Sequence, residues 1–449
     1  LKAINKEIMR LALPSILANI TVPLVGMVDI AVAGHLDTTA AALIGAIAIG
    51  SMLFDLLYWN FGFLRIGTGG LTAQAFGRED WQGAAANLGR GVGLALIISA
   101  LVLLVQWPFT KLVFLFVDCT AEVKELALKY FFIRIWAAPA TLSLMSFKGW
   151  FIGMQDTRSS MFTDLVVNGV NILCSIFLSM GIPGTGFKGI GFTGIALGTV
   201  VAQYSGFLFA SLVVLTRYRH VIKGNLSWDV LKAGNMKGFA RMNGDLFVRS
   251  ASLIVIYIGF TAISAGFGDV LLASCSIMMK LLMIFSYFTD GFAFAGEALT
   301  GRFIGAKDTP QVKETVKWTF IWSMGIGIFF VGIYVLTGVP LLRLMTSDNV
   351  VVAASREFIP WLALMPLVGC PAFTWDGIYV GATASKHLRD SSLWSAIGFF
   401  AVWLLLKWLL QPEGSMAVHV LFVAYFTHLV IRSVYQTALY RKAVLDPIS

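Results

Sequence analysis

Charge is scarce in this sequence. Of its 449 residues, 13% are Asp, Glu, Lys or Arg and 58% are hydrophobic, against roughly 25% charged in an ordinary soluble domain. That shortage excludes a water-soluble fold, because a single core stops growing at about 250 to 300 residues and its surface still needs polar cover. A mean hydropathy of +0.81 over the whole chain points to a bilayer as the solvent. Cysteine is scarce too: Cys119, Cys174, Cys275 and Cys370 show no paired or CxxC spacing and three sit in apolar segments, which argues against a disulfide framework or a zinc site. The five histidines, His35, His220, His387, His419 and His428, make no HExxH, and no GxSxG motif occurs, so an intramembrane enzyme would lack its catalytic cluster. A secretory signal pattern is also missing. The chain opens with Lys2 and Lys6 and runs directly into a full-length apolar span, so its first helix is expected to stay.

What the chain has instead is apolar runs. Each crossing needs about 20 apolar residues and a short loop, which leaves room for roughly twelve. Apolar runs bounded by charge place helices near 8–33, 43–70, 89–109, 127–153, 161–181 and 190–216, then near 241–265, 271–298, 318–342, 356–382, 393–411 and 416–440. The net charge of +9 would suggest a nucleic-acid partner in a soluble protein. Here the basic residues crowd the loops on one side, including Arg78, Arg90, Arg158, Arg217 to Lys237, Arg302, Lys307, Lys386, Arg389 and Arg441, while the other side has few, such as Lys111 and Lys188. Such an asymmetry orients a membrane protein and predicts both termini in the cytoplasm, with no nucleic acid involved.

The two halves repeat. Leu71-Thr72-Ala73-Gln74-Ala75-Phe76-Gly77-Arg78-Glu79-Asp80, after the second span, matches the segment from Leu299 to Asp308 after the eighth, and Lys148 to Gly153 in span four matches Asp376 to Gly381 in span ten; both matches have one offset, 228 residues. An even number of helices per repeat gives both copies the same orientation, with a pseudo-twofold axis along the membrane normal. The expected fold is therefore an all-α polytopic membrane protein, with twelve transmembrane helices in two pseudo-symmetric six-helix lobes around a central cavity. Residues 1–216 form the N-lobe, 217–240 a cytoplasmic linker and 241–449 the C-lobe. This is the plan of an alternating-access transporter, and no filter-like loop supports a channel.

An ionisable side chain inside a span costs about 2.5 to 3.5 kcal/mol even on the lenient insertion scale, so each one needs a partner, water or a purpose. In span one Asp29 is the deepest carboxylate of the N-lobe: it is either a group that exchanges a proton or a helix-end acid satisfied by water or a backbone N–H. Asn168 and Asn171 share one face of span five, where they either glue helices or hydrogen-bond an acid across the cavity. Thr199 in span six has the same ambiguity. Arg65, Asp55 and Arg134 read as span-end or snorkelling residues. In the C-lobe, Asp290 and Glu297 lie two turns apart on one face of span eight, ten residues beyond Lys280. Asp245 and Arg249 are spaced for a local i,i+4 ion pair. Lys148 and Asp376 occupy equivalent repeat positions and are expected to pair across the lobes in one state. Pro14 and Pro23 flank the first half of span one, and Pro23 would provide a gating kink six residues before Asp29.

Arg10-Leu11-Ala12-Leu13-Pro14, Asp29 with Gly34-His35-Leu36, the Thr72 to Gly77 segment, Asp290-Gly291-Phe292-Ala293 and Gly301 to Asp308 together resemble the multidrug and toxic compound extrusion (MATE) family, in its DinF-like branch. The major facilitator alternative lacks its Gly-x-x-x-Asp-Arg loop between spans two and three. The resemblance covers essentially the whole chain. It implies a cation-coupled antiporter, not an enzyme, that exports lipophilic and often cationic organic compounds by alternating access. It further implies a multi-pass monomer of the bacterial inner membrane whose partners are the small-molecule substrate, the coupling cation and the lipid bilayer, with no cofactor beyond H+ or Na+ and no bound metal. On the family pattern Asp29 serves the coupling cation, with Asn171 and Thr199 in its network; Asn168, Lys148, Asp290, Glu297 and Asp376 are substrate or cavity candidates. Where many relatives carry a second aspartate, four residues after the asparagine, this chain has Ser175. A lone acid suits a proton better than sodium, which wants several hard oxygen ligands. The span-seven glutamate that accompanies the span-ten carboxylate in other branches has no counterpart beside Asp376. The alternatives are sodium-coupled export and a flippase for a lipid-linked headgroup, for which Lys148, Lys280 and Arg65 make a thin cationic set.

Overall fold

A computed structural model of the protein describes residues 2–36 and 40–448. Helices account for almost all of it, and no strand occurs among the described residues. Inside a bilayer only a helix satisfies every backbone donor and acceptor within its own segment, so apolar length becomes helix. Eleven helices among the described residues are long and apolar enough to cross a membrane: α1 (Ala3–Leu36), α2 (Ala41–Gly77), α3 (Trp81–Leu104), α4 (Ala121–Gly153), α5 (Thr157–Met180), α6 (Thr193–Arg217), α7 (Met236–Ala265), α8 (Asp269–Gly305), α9 (Thr309–Met345), α11 (Ser385–Leu410) and α12 (Ser415–Ala438). The twelfth crossing, α10, is a pair, Asn349–Arg356 and Ile359–Gly381, bent by 56°. The twelve expected spans are all present, and many helices overrun them. α2 and α8 continue to Gly77 and Gly305 rather than stopping near 70 and 298, because a helix ends where its carbonyls are capped rather than where its apolar residues run out.

Those ends share one construction, used four times. After α2, α4, α8 and α10 the chain turns through a left-handed residue that is not glycine: Glu79 (φ 57), Gln155 (φ 63), Lys307 (φ 56) and Thr383 (φ 54). In each corner the next amide reaches back five residues, Asp80 to the Ala75 carbonyl at 2.9 Å, Asp156 to Phe151 at 2.8 Å, Asp308 to Phe303 at 2.9 Å and Ala384 to Tyr379 at 2.9 Å. This is the Schellman closure of a helix. In three corners the same residue then caps the following helix: Asp80 accepts from Gly83 N at 2.9 Å, Asp156 from Ser159 N at 3.1 Å and Asp308 from Gln311 N at 3.3 Å. Positions 79 and 307, and 155 and 383, are 228 residues apart, so the offset read from the sequence recurs as geometry.

By contact the chain divides into two compact units, Leu17–Ala240 and Leu1–Ile16 with Arg241–Ser449; the boundary falls within α1, between Pro14 and Pro23. α1 is helical without a break across both prolines. Within the first unit, α4 packs on α2 through glycine: a Cβ on Gly149 would lie 2.1 Å from the Arg65 carbonyl oxygen, and one on Gly153 would lie 2.6 Å from Thr72 Cβ. Within the second, α10 packs on α8 in the same way, with Gly377 against the Ala293 carbonyl at 2.2 Å and Gly381 against that of Glu297 at 2.4 Å. Small residues let helix backbones approach where lipid offers no hydrophobic drive to association. The first unit closes further through Trp150, whose indole N–H donates to the Ala84 carbonyl at 2.8 Å, and the second through Tyr334, whose hydroxyl donates to that of Leu281 at 2.7 Å.

Gly149→Ala and Gly377→Ala each place a methyl group against backbone that cannot yield, and each is expected to cost about 1 to 3 kcal/mol. Gly169→Ala in α5, whose Cβ would meet nothing within 4 Å, is expected to leave stability unchanged. Thermal unfolding of the purified protein in detergent checks all three. Equal midpoints for Gly149→Ala and the parent chain would show that this close approach does not set the packing.

Candidate functional site

In the first unit, a polar stripe runs along α5. Asp164, Asn168, Asn171 and Ser175 fall at i, i+4, i+7 and i+11, one face of a helix. Ser175 Oγ donates to Asn171 Oδ1 at 3.0 Å, and Asn168 Nδ2 donates across to Thr21 Oγ1 of α1 at 2.7 Å. Asp29 is one helical stretch further along α1 and is buried, 6% exposed. The Ser175 side chain adjoins it and the Arg134 charge acts on it, and among the described residues its Oδ1 has no hydrogen-bond partner. Ser175 thus links Asn171 to the surroundings of Asp29. Thr199 is buried, and its hydroxyl turns to its own helix, donating to the Ile195 carbonyl at 3.3 Å. Its neighbour Gly198 makes the contact with α5, since a Cβ there would lie 2.8 Å from Ser175 N.

Arg134 does not snorkel, contrary to the sequence reading. Its Nη1 donates to the Tyr130 hydroxyl at 2.9 Å, and its guanidinium lies over the Phe54 ring at 4.4 Å from the centroid. Phe54 in turn stacks on Phe131 at 4.9 Å. A weakly hydrated, planar cation can be held on an aromatic face without water, which an ammonium does less well. The Tyr130/Arg134 spacing of four residues, embedded in Tyr-Phe-Phe-Ile-Arg, was the available signal.

Lys148 and Asp376 each have a partner within their own unit. Lys148 Nζ binds Asp164 Oδ1 at 3.0 Å, across from α4 to α5. Asp376 Oδ2 accepts from Arg249 Nη2 at 2.7 Å and from Arg432 Nη2, and its Oδ1 accepts from Gln436 Nε2 at 2.9 Å. The reason is supply: two long arginine side chains and an amide from α7 and α12 reach one carboxylate of α10, and a buried carboxylate is stable when its lone pairs are filled. The expected local Asp245–Arg249 pair fails for the same reason. With Arg249 on Asp376, Asp245 takes Arg389 Nη1 at 2.8 Å and the Ser385 hydroxyl at 3.1 Å. Glu297 is buried in α8 and Asp290 half-buried on the same helix, while Lys280 is exposed. Pro23 is exposed on α1. No group of three or more His, Cys, Asp or Glu that could hold a metal ion occurs among the described residues.

A family model described as MatE matches residues 14–177 and 246–389, one match in each half of the chain. The chain belongs to the MatE family. It is 33% identical to DNA damage-inducible protein F of Escherichia coli strain K12, over 98% of this chain and 92% of that protein. It is 24% identical, over 84% of this chain and 82% of the relative, to the probable multidrug resistance protein NorM of Photorhabdus laumondii. The fold matches the crystal structure of the Vibrio cholerae MATE transporter VcmN in its bent form with a TM-score of 0.83, at 15% identity, covering 99% of this chain and 98% of that one. This MatE chain is a multi-pass membrane protein and a transporter, not an enzyme.

Within the MatE frame two intramembrane acids are treated oppositely: Asp376 is filled on every side, whereas Asp29 keeps an unpartnered oxygen. Asp376→Asn leaves Arg249 and Arg432 without their counter-charge, and breaking a buried pair from one side is expected to cost about 3 kcal/mol. The loss is read as a lowered unfolding midpoint in detergent, and adding Arg432→Met should recover part of it. An unchanged midpoint for Asp376→Asn would show that the cluster does not fasten α7, α10 and α12.

Proposed function

We propose that this MatE protein is a proton-coupled antiporter that exports lipophilic, often cationic, organic compounds from the cell by alternating access. The observation that supports this best is Asp29: a buried carboxylate with one oxygen unpartnered, facing a stripe of amides and hydroxyls on α5. A charge held at membrane depth without full satisfaction marks a functional group rather than a structural one. A lone carboxylate provides a site for one proton and offers few hard oxygens for sodium, which favours proton over sodium as the coupling ion. The name of one relative, probable multidrug resistance protein NorM, points to drugs as the cargo.

Coupling requires that the proton and the substrate bind the two transport states with different affinities. In the proposed cycle, protons from outside neutralise Asp29 in the outward-open state. The change in charge alters the hold of α5 and Arg134 on α1, which bends around Pro23, where the ring has removed one i to i−4 hydrogen bond. Substrate then leaves, and inward opening delivers the proton to the cytoplasm. Asn171, through Ser175, shapes the surroundings of Asp29; Thr199 acts from its own helix, by packing. The protein works as a monomer in the bacterial inner membrane with both termini cytoplasmic, an orientation that the crowding of Lys and Arg on one side supports. No cofactor takes part besides the coupling ion.

Proteoliposome efflux of a lipophilic cation under separately imposed proton and sodium gradients tests this reading. The proton gradient alone is expected to drive export, and Asp29→Asn is expected to fold with an unchanged midpoint but to lose gradient-driven export. Full transport by Asp29→Asn would sink the assignment, and export driven only by sodium would reverse the choice of ion.

A further inference from the structure

The ion pair of Lys148 and Asp164 has no task in the cycle above. It lies within two membrane spans, yet the side chains are 29% and 24% exposed, unlike the well-covered acid of the Asp376 cluster at 14%. An intramembrane charge that keeps this much surface faces a water-accessible space rather than lipid. The two partners differ in freedom. Asp164 projects from α5 on a single methylene, whereas the Lys148 ammonium rides on a flexible four-carbon stem. Lys148 is thus the partner that can withdraw, and Asp164 the one that stays. One turn along the same face, Asn168 commits its Nδ2 to Thr21, which leaves its carbonyl oxygen as the remaining acceptor on that turn. On either side of Asp164 the exposed α5 side chains are Phe162 and Leu165, both apolar.

We propose that Asp164, with the Asn168 carbonyl, is the recognition point for the positive group of a lipophilic organic cation, and that Lys148 is a tethered cation that occupies the carboxylate when no substrate is there. The incoming cation exchanges for the ammonium, so the carboxylate never stands alone at membrane depth. Loss of substrate returns Lys148 to it. The site thereby discriminates by charge: a monovalent cation replaces the lysine like for like, whereas an anion of the same size would have to approach Asp164. This inference rests on the exporter reading, and it names which side chains of the first unit read the substrate.

Binding of tetraphenylphosphonium to the purified full-length protein in detergent, by equilibrium dialysis, tests it without any gradient, with tetraphenylborate as the anion of matching size and shape. Lys148→Met removes the internal competitor and is expected to tighten tetraphenylphosphonium binding about fivefold, and Asp164→Asn to weaken it about fivefold, on the scale of a half-exposed ion pair. Lys148→Met with Asp164→Asn should bind as weakly as Asp164→Asn alone. A merely structural pair would move both single variants in the same direction. That result, unchanged affinity in both, or no phosphonium binding by the parent chain and Lys148→Met, overturns the proposal; so does tighter tetraphenylborate binding on Asp164→Asn without any change for the phosphonium. Should Lys148→Met fail to fold, Lys148→Gln, which can still hydrogen-bond the carboxylate, is read in its place. Because no gradient is involved, a negative result here leaves the Asp29 export test standing, and loss of that one leaves this one standing.

Discussion

A charge at membrane depth has to find its partner within the protein, and much of the polar structure of this chain follows from that requirement. The solutions run from complete to incomplete. Asp376 is filled by two guanidiniums and an amide. Arg134 is held by a tyrosine hydroxyl and an aromatic face. Lys148 and Asp164 satisfy one another at 3.0 Å but keep a good part of their surface. Asp29 is buried with one oxygen unpartnered. The ordering matters because a fully satisfied buried cluster fastens helices and resists change, whereas an incompletely satisfied group can respond to a proton or a ligand at small cost.

The second constraint is backbone approach. Lipid gives helices no hydrophobic reason to associate, so they do so by fitting, and the fit at α2/α4 and α8/α10 is made by glycines set against backbone carbonyls. The same helices end in the four left-handed corners. Each corner puts a residue with a Cβ where glycine would be easier, a local cost of order 1 kcal/mol, and three of them use the following aspartate to start the next helix. A corner that closes one helix and opens another in three residues fixes the phase between them. Positions such as Lys148, one residue before Gly149, and Asp376, one before Gly377, thus stand at determinate depth and azimuth in their units.

The spans were legible because apolar length is the strongest signal a membrane chain carries, and the repeat because both corner and glycine contact depend on short, ordered strings of residues. Helix ends were not legible: Thr72, Gln74 and Arg302 look like the end of an apolar run, yet they lie inside helices that stop only at the caps. Pairing of charges was legible least. Spacing suggested Asp245 with Arg249, but spacing sees one helix at a time. Arg249 instead reaches the carboxylate of α10, while Asp245 is met by Arg389 and Ser385 of α11. Arg134 was misread because an arginine near a span end ordinarily reaches for water, whereas here the Tyr130 hydroxyl and the ring of Phe54, on another helix, hold it.

The two halves thus share a backbone plan and differ in charge chemistry. At equivalent positions of the repeat stand Lys148 and Asp376, a cation and an anion, and each has recruited its complement from its own unit: an aspartate on the next helix in one, two arginines from α7 and α12 in the other. The consequence is an asymmetry of charge pairing within a repeated fold. In the second unit the carboxylate of α10 is already committed to two permanent cations, so a proton or a sodium ion would have to compete with both. In the first unit Asp164 has a single cation, Lys148, and Asp29 retains an oxygen with no hydrogen-bond partner among the described residues. The coupling proposed for this transporter needs a charge whose energy changes on protonation, and the incompletely satisfied Asp29 of the first unit meets that requirement better than Asp376, which two guanidiniums already hold.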